Sequence, residues 1–212
     1  MQIKSASRVK NFAEVNTNKR EINNMLDLVK HESLRIDSRF LEPACGDGAF
    51  LKEILTRKLK QLENNFSKNQ FEFEKYSIIA TGSIYGIELL EDNVTDTRKA
   101  LFEKIYDAHN KLFKESKNVI FSRNIKYIIE KNIIHGDALT LTRSNSSEPI
   151  VFSEWSIVKN KIKRRDFTFS NLLNYSPFAK DSLFSDLDDE VWIPSPSKEF
   201  PLIEIDKLYT QI

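Results

Sequence analysis

The chain has a single cysteine, Cys45, among its 212 residues. It therefore has no intrachain disulfide, and a cytoplasmic setting is the default expectation. No apolar run approaches the roughly 20 residues that span a bilayer, so no membrane helix is expected. The opening residues, Met-Gln-Ile-Lys-Ser-Ala-Ser-Arg, lack the apolar centre of a secretion signal. Neither sign of charge dominates: 32 Lys and Arg stand against 31 Asp and Glu. That balance speaks neither for nor against nucleic acid, for which only a local basic patch would argue. The three histidines are scattered, which supports no Ser-His-Asp arrangement, and no His/Cys cluster has metal-ligand spacing. There is no internal repeat. What is present is the mixture of a soluble globular protein, 40% hydrophobic and 30% charged, long enough for one domain with a real core.

Apolar spacing predicts helices over residues 19–31, 49–65, 91–116 and 122–131. Short apolar or β-branched runs predict strands at 39–41, 77–80, 84–89, 133–135, 149–155 and 166–169. The polar stretch 64–74 reads as a connection. Alternating strands and helices imply an α/β fold with a mostly parallel, doubly wound sheet, in which ligands bind beyond the carboxyl ends of the strands. Residues 174–201 change character, with four of the six prolines, many Ser and Asp and little periodicity. We expect a domain over 1–173 and a tail over 174–212, packed on it or used for interaction.

Three segments place an acid at the end of an apolar strand. Leu41-Glu42-Pro43-Ala44-Cys45-Gly46-Asp47-Gly48-Ala49-Phe50 adds a turn with two glycines and the start of a helix. Gly46 and Gly48 can take positive φ and let a ligand approach the backbone. No GK[ST] follows, which excludes a P-loop, and the glycine spacing differs from the dinucleotide fingerprint. Tyr85-Gly86-Ile87-Glu88-Leu89 ends on a carboxylate able to accept both hydroxyls of a ribose. Ile134-His135-Gly136-Asp137-Ala138-Leu139 repeats the pattern; its Asp137 can also be an Asp that caps a turn. His135 is read as structural.

These segments resemble motifs I, II and III of S-adenosylmethionine-dependent methyltransferases, and the Pro-Ala-Cys-Gly core resembles the amino-methylating DNA enzymes. The resemblance implies a Rossmann-like class I methyltransferase fold. It implies a cofactor site built from Glu42, Pro43, Ala44, Cys45, Gly46, Gly48, Phe50, Glu88, Leu89, Asp137 and Ala138. In it Glu88 faces the ribose and Asp137 the adenine amino group. Upstream, Phe12-Ala13-Glu14-Val15-Asn16-Thr17 resembles motif X, which adds Thr17; that residue can equally cap the helix that follows.

The family's acceptor motif, [DNS]-P-P-[YFW], is absent as written. By position, Ser153-Glu154-Trp155 at the end of the 149–155 strand stands in for it, making these three the catalytic candidates. A displaced alternative is Asn174-Tyr175-Ser176-Pro177-Phe178. Trp155 can also be a core aromatic. Lys159, Lys161, Lys163, Arg164 and Arg165 form the densest basic run, able to hold phosphates or simply be solvated.

The resemblance implies a DNA methyltransferase, adenine-N6 in type, of a restriction–modification system. DNA is the expected partner, reached through a separate target-recognition or restriction subunit. The alternatives are a non-catalytic, cofactor-binding subunit of a restriction or defence complex, and methylation of RNA or protein.

Overall fold

A computed structural model describes residues 17–114, 118–174 and 194–211. Three parallel strands form its centre: β1 (Phe40–Glu42), β2 (Ile84–Glu88) and β3 (Ile133–Asp137), side by side in that order. A short antiparallel strand, β4 (Thr142–Arg143), closes the β3 edge. Before β1 come α1 (Lys19–Leu28) and one turn of helix, α2 (Lys30–Ser33). Each crossover then contains two helices. α3 (Ala49–Phe66) and α4 (Gln70–Gly82) join β1 to β2, and α5 (Glu91–Leu112) and α6 (Val119–Asn132) join β2 to β3.

The sheet sorts its side chains by alternation. Ile84 and Ile133 enter the main core with Leu51, Leu55, Leu101 and Ile128 from the helices. Gly86 lies on the same face, where an added Cβ would meet Leu51 Cδ1 at 2.8 Å and Cys45 Sγ at 3.0 Å. Tyr85, Ile87 and Ile134 point the other way, into a second core with Ile150, Phe152 and Phe169. That second face is where the doubly wound expectation needs correction. Among the described residues it is covered by an antiparallel hairpin, β5 (Val151–Val158) and β6 (Lys161–Thr168), and a short helix α7 (Phe169–Asn174), not by further crossover helices. A mixed α/β architecture with one mostly parallel and one antiparallel sheet results.

Several elements differ from their expected form. Residues 77–80 are helical, within α4, and the connection expected over 64–74 shrinks to a few residues. A short apolar run reads the same in a buried helix as in a buried strand. α4 is buried on most sides, with Phe73, Ser77, Ile78, Ala80 and Thr81 all inside. The Ser77 and Thr81 hydroxyls donate 2.7 Å to the carbonyls of Phe73 and Ser77, so neither is left unpaired in the interior. Asn69 starts this helix by accepting from Glu72 N. The helix expected over 19–31 breaks at Val29, and its cap is Asn18, which accepts from Arg20 N at 2.9 Å, not Thr17. β5 does not end at Trp155 but runs to Val158. It turns through Lys159 and Asn160, both at positive φ as two-residue hairpin loops require.

β1 is held in place from below by a buried lysine. Lys58 on α3 is fully buried, and its ammonium donates to the carbonyls of Arg35, Ile36 and Ser38 at 3.1, 2.9 and 2.7 Å. Burial pushes its pKa down to about 7, while three acceptors for three protons oppose that shift. The carboxyl-terminal segment joins the hairpin sheet. β7 (Lys198–Glu199) and β8 (Ile203–Glu204) both pair with β6, and a 3-10 helix (Ile205–Thr210) follows, tied to α6 through Asn124.

Candidate functional site

The turn after β1 is built by its two glycines. Gly46 has φ +54 with open space where a Cβ would stand. Gly48 has φ +78, and a Cβ there would meet the Thr97 side chain at 2.7 Å. Both positions favour glycine, Gly48 for steric reasons as well as conformational ones. Cys45 N donates to Ile87 O at 2.9 Å, which lashes the turn to β2. Asp47 Oδ1 accepts from Ala49 N and starts α3.

Glu88 binds this turn directly. Its Oε2 accepts from Gly46 N at 2.8 Å, and its Oε1 accepts from Leu90 N at 3.0 Å and from the Asn93 amide at 3.4 Å. One buried carboxylate thus ties the end of β2 to the turn after β1 and to the start of α5. Charge-assisted bonds of this kind are the stronger sort. Thr97, one turn on from Asn93, donates to Gly46 O at 3.1 Å. Sequence reasoning missed both Asn93 and Thr97. The available signal was the apolar stripe Val94–Leu101–Ile105, where the position between the first two is filled by fully buried Thr97.

The other expected cofactor residues surround this knot. Glu42 ends β1 half-buried; burial raises its pKa, and a bond from Ala44 N partly offsets that. Pro43 and Ala44 are exposed, and Phe50 packs against the main core. Cys45 is buried, and burial with the nearby Glu88 and Glu42 carboxylates pushes its thiol up to about 12. It is a packing residue, not a nucleophile. Leu89 is exposed, and its carbonyl is bonded by His135 at 3.0 Å, the residue opposite Glu88 in register. Asp137 is half-buried at the end of β3, and its Oδ1 accepts from Leu139 N at 2.8 Å. With that oxygen Asp137 caps the turn after β3, and Ala138 packs on the second core. Thr17 lies exposed ahead of α1; residues 12–16 fall outside the described residues.

Ser153, Glu154 and Trp155 lie elsewhere. Ser153 N donates to Asn132 Oδ1, and the same amide donates to Gly82 O; these residues lie one and two positions ahead of β3 and β2. Glu154 is bonded by Arg39, which precedes β1. The trio thus sits at the amino ends of the parallel strands, opposite the glycine turn. Ser153 is buried, donates to Asp166 Oδ1 at 2.7 Å and accepts from Arg164 Nε at 3.1 Å. Trp155 is 6% exposed, packed edge-on to Tyr127 and pressed against Gly82. The expectation of an acceptor loop at a strand end is not met here, because these residues alternate through the middle of a hairpin strand. The alternative segment lies outside the described residues beyond Asn174.

The basic run is also differently placed. Arg164 is buried and forms a fork-to-fork pair with Asp166 at 2.8 and 2.7 Å. Lys161 pairs with Glu204 at 2.7 Å, Lys163 with Glu199 at 2.9 Å, and Arg165 with Glu154 at 2.7 Å. Alternation on β6 puts Lys161, Lys163 and Arg165 on one face and Arg164 on the other, and each of the four meets an acid.

Among families of known proteins, the MmeI DNA-methyltransferase domain matches residues 12–154. The chain belongs to this family. It is accordingly a DNA-methyltransferase domain of restriction–modification type. The match contains the glycine turn and the ends of β2 and β3, and it closes inside β5 at Glu154. Neither the curated proteins nor the solved structures contain a significant match. No helix among the described residues of this methyltransferase domain is long and apolar enough to cross a membrane.

Proposed function

We propose that this domain binds S-adenosylmethionine at the carboxyl ends of β1, β2 and β3 and serves methyl transfer to DNA, at the exocyclic N6 of adenine. The observation that carries the reading is the Glu88 knot. It ties an open glycine turn to a buried carboxylate at the end of β2, on the edge of the sheet where α/β folds take their ligands. The residues fit the cofactor's chemistry. Glu42, a partly desolvated carboxylate, would accept the cofactor's ammonium, and pairing with a cation would offset its burial. Glu88 would accept ribose hydroxyls and Asp137 the adenine amine. The open face of Gly46 leaves room for a close backbone approach. Once bound, S-adenosylmethionine supplies a methyl group on a sulfonium. A proton must then leave the methylated amine, and an acceptor beside it must take up the developing positive charge.

That acceptor does not follow from Ser153–Trp155, which are buried at the other end of the sheet. A second reading therefore has specific support: a cofactor-binding subunit whose acceptor centre and target recognition come from a partner. Such a subunit belongs with DNA in the cytoplasm, in keeping with its lone buried cysteine. Calorimetry with S-adenosylmethionine tests what the two readings share. We expect micromolar binding that Glu88→Ala weakens at least about 100-fold; unchanged affinity in that variant would sink both. Transfer of labelled methyl from S-adenosylmethionine to adenine in DNA by the isolated chain would establish the first reading. Binding without transfer, restored by a partner subunit, would establish the second.

A further inference from the structure

β1 stands at the margin of its sheet. β2 flanks it on one side, and among the described residues no strand flanks it on the other. The register fixes which backbone groups face that open side. Phe40 N donates to Ser83 O at 2.9 Å, so Phe40 and Glu42 direct their N–H and C=O groups at β2. Successive residues of a strand alternate in this respect, and the N–H and C=O of Leu41 therefore point away from the sheet. Such an edge is a template for another strand. Pro43 has no N–H and ends the edge at once, which confines the main-chain bonds of an added strand to the neighbourhood of Leu41.

A cavity of about 330 Å³ opens beside the same edge. Its apolar walls are Leu41 itself, Tyr85, Phe152, Phe167 and Leu172. It lies on the hairpin face of the sheet, the face that Leu41 shares with its register partner Tyr85. Leu41 is 42% exposed. Charge at the rim is uneven. Glu154 pairs with both Arg39 and Arg165, so two guanidiniums meet one carboxylate, and the Arg39 side chain stays 65% exposed. Arg39 and Leu41, two positions apart, belong to one face.

We propose that the free edge of β1 and this cavity form a docking site for an extended segment of a partner protein, added to the sheet as a strand. The segment has a large apolar or aromatic side chain, which fills the cavity. An acidic residue two positions away meets the surplus charge at Arg39. Main-chain bonds at Leu41 align the segment and the cavity selects it, the usual division of labour in strand addition. A small ligand in the cavity would leave the Leu41 backbone groups to water. A helix has already used its own backbone groups internally. A second copy of this chain offers only its own β1. There Phe40 is packed against the main core, and the pair Arg39 and Leu41 has a cation where the site calls for an acid. The inference rests on the edge and the cavity alone, not on the cofactor reading.

The probes are two acetylated, amidated peptides, Thr-Asp-Val-Phe-Val-Thr and its reverse order Thr-Val-Phe-Val-Asp-Thr. Each is titrated by calorimetry into the full chain without S-adenosylmethionine. We expect one of them to bind with a Kd of about 100 μM or tighter, and its order gives the direction of the added strand. Exchanging its Phe for Ala, or its Asp for Lys, should weaken binding about tenfold. Leu41→Pro removes the outward N–H and no bond to β2, and should weaken binding at least about tenfold. Leu172→Trp fills the cavity from α7 without touching β1, so it carries the test if Leu41→Pro fails to fold. Amide exchange followed by NMR reads the edge directly: the Leu41 N–H should exchange fast in the free chain and about tenfold more slowly with peptide bound. No binding of either peptide at millimolar concentration, equal binding of the Ala-for-Phe peptide, or unchanged affinity in both variants would overturn the proposal. So would a Leu41 amide already protected in the free chain. Protection at every protein concentration would mean that the chain covers its own edge, and protection only at high concentration that a second copy does. Failure here leaves the proposed cofactor site standing, because S-adenosylmethionine binding is read in a separate titration.

Discussion

The two ends of the parallel sheet use similar residues for opposite purposes. At the carboxyl ends, Glu88 is buried, yet it bonds only backbone N–H groups and one amide, and the turn it holds has exposed Pro43 and Ala44. At the amino ends, Ser153, Asp166 and Arg164 are bonded chiefly to one another, closed over by Trp155, Tyr127 and Phe200. The first arrangement fixes a surface and leaves it open. The second fills an interior. An acid after an apolar run therefore signals a ligand site only where the following backbone stays accessible.

The largest effect that separates the two ends should come from Trp155→Ala. It removes a core ring against Gly82 and Tyr127 and should lower unfolding free energy by about 3–5 kcal/mol. Denaturant titration measures this, and S-adenosylmethionine affinity of the folded fraction should stay within about twofold, since the glycine turn proposed to hold the cofactor is at the other end. A large affinity loss without destabilisation would return Trp155 to the cofactor side and erase the contrast.

Gly48→Ala should act at the carboxyl end alone. It combines a positive φ with a Cβ 2.7 Å from Thr97, and should cost about 1–3 kcal/mol while disrupting the turn. Thermal unfolding and calorimetry should both register it, whereas Gly46→Ala, with open space, should show the conformational part of the cost without the clash.

Lys58 supports β1 from beneath and gives a pH signature. Its folded pKa lies near 7, below the roughly 10.4 of an unfolded chain. The unfolded chain thus binds more protons between those values, so this group's contribution to stability rises with pH across that window and is lost as pH falls back toward 7. Lys58→Met lacks that contribution, so the stability gap between it and the wild type should widen from pH 7 to 10. A constant gap would mean that the three carbonyls keep the ammonium charged throughout.

The smallest effect should be that of Lys163→Ala, which removes a half-exposed partner of Glu199. We expect less than about 0.5 kcal/mol in stability, and no more than a slight change in DNA binding by filter retention. A tenfold loss of DNA binding would restore the basic run as a phosphate track.

Much of the carboxyl end is legible in the amino-acid sequence. Two glycines between a strand and a helix, and acids after two later strands, are local patterns with local causes, and each lies at the end of β1, β2 or β3. The second helix in the first crossover is not legible, because α4 is buried nearly all round and shows no amphipathic period. The hairpin is half legible. Pro149–Trp155 and Asp166–Phe169 read as strands, but the basic run disguises the first half of β6 as a solvated loop, and Lys159-Asn160 is not a common hairpin-turn pair.

The sequence by itself determined the carboxyl ends of the parallel strands: an open glycine turn, with carboxylates at successive strand ends, comes from residues within a few positions of one another. Tertiary structure alone decided what Glu88 holds, which end of the sheet Ser153–Trp155 occupy, and that Tyr85 and Glu154 share a cavity. Those facts depend on pairings between residues tens of positions apart, and on which face of a strand a side chain takes. One residue of register reverses that choice, and no local pattern records it.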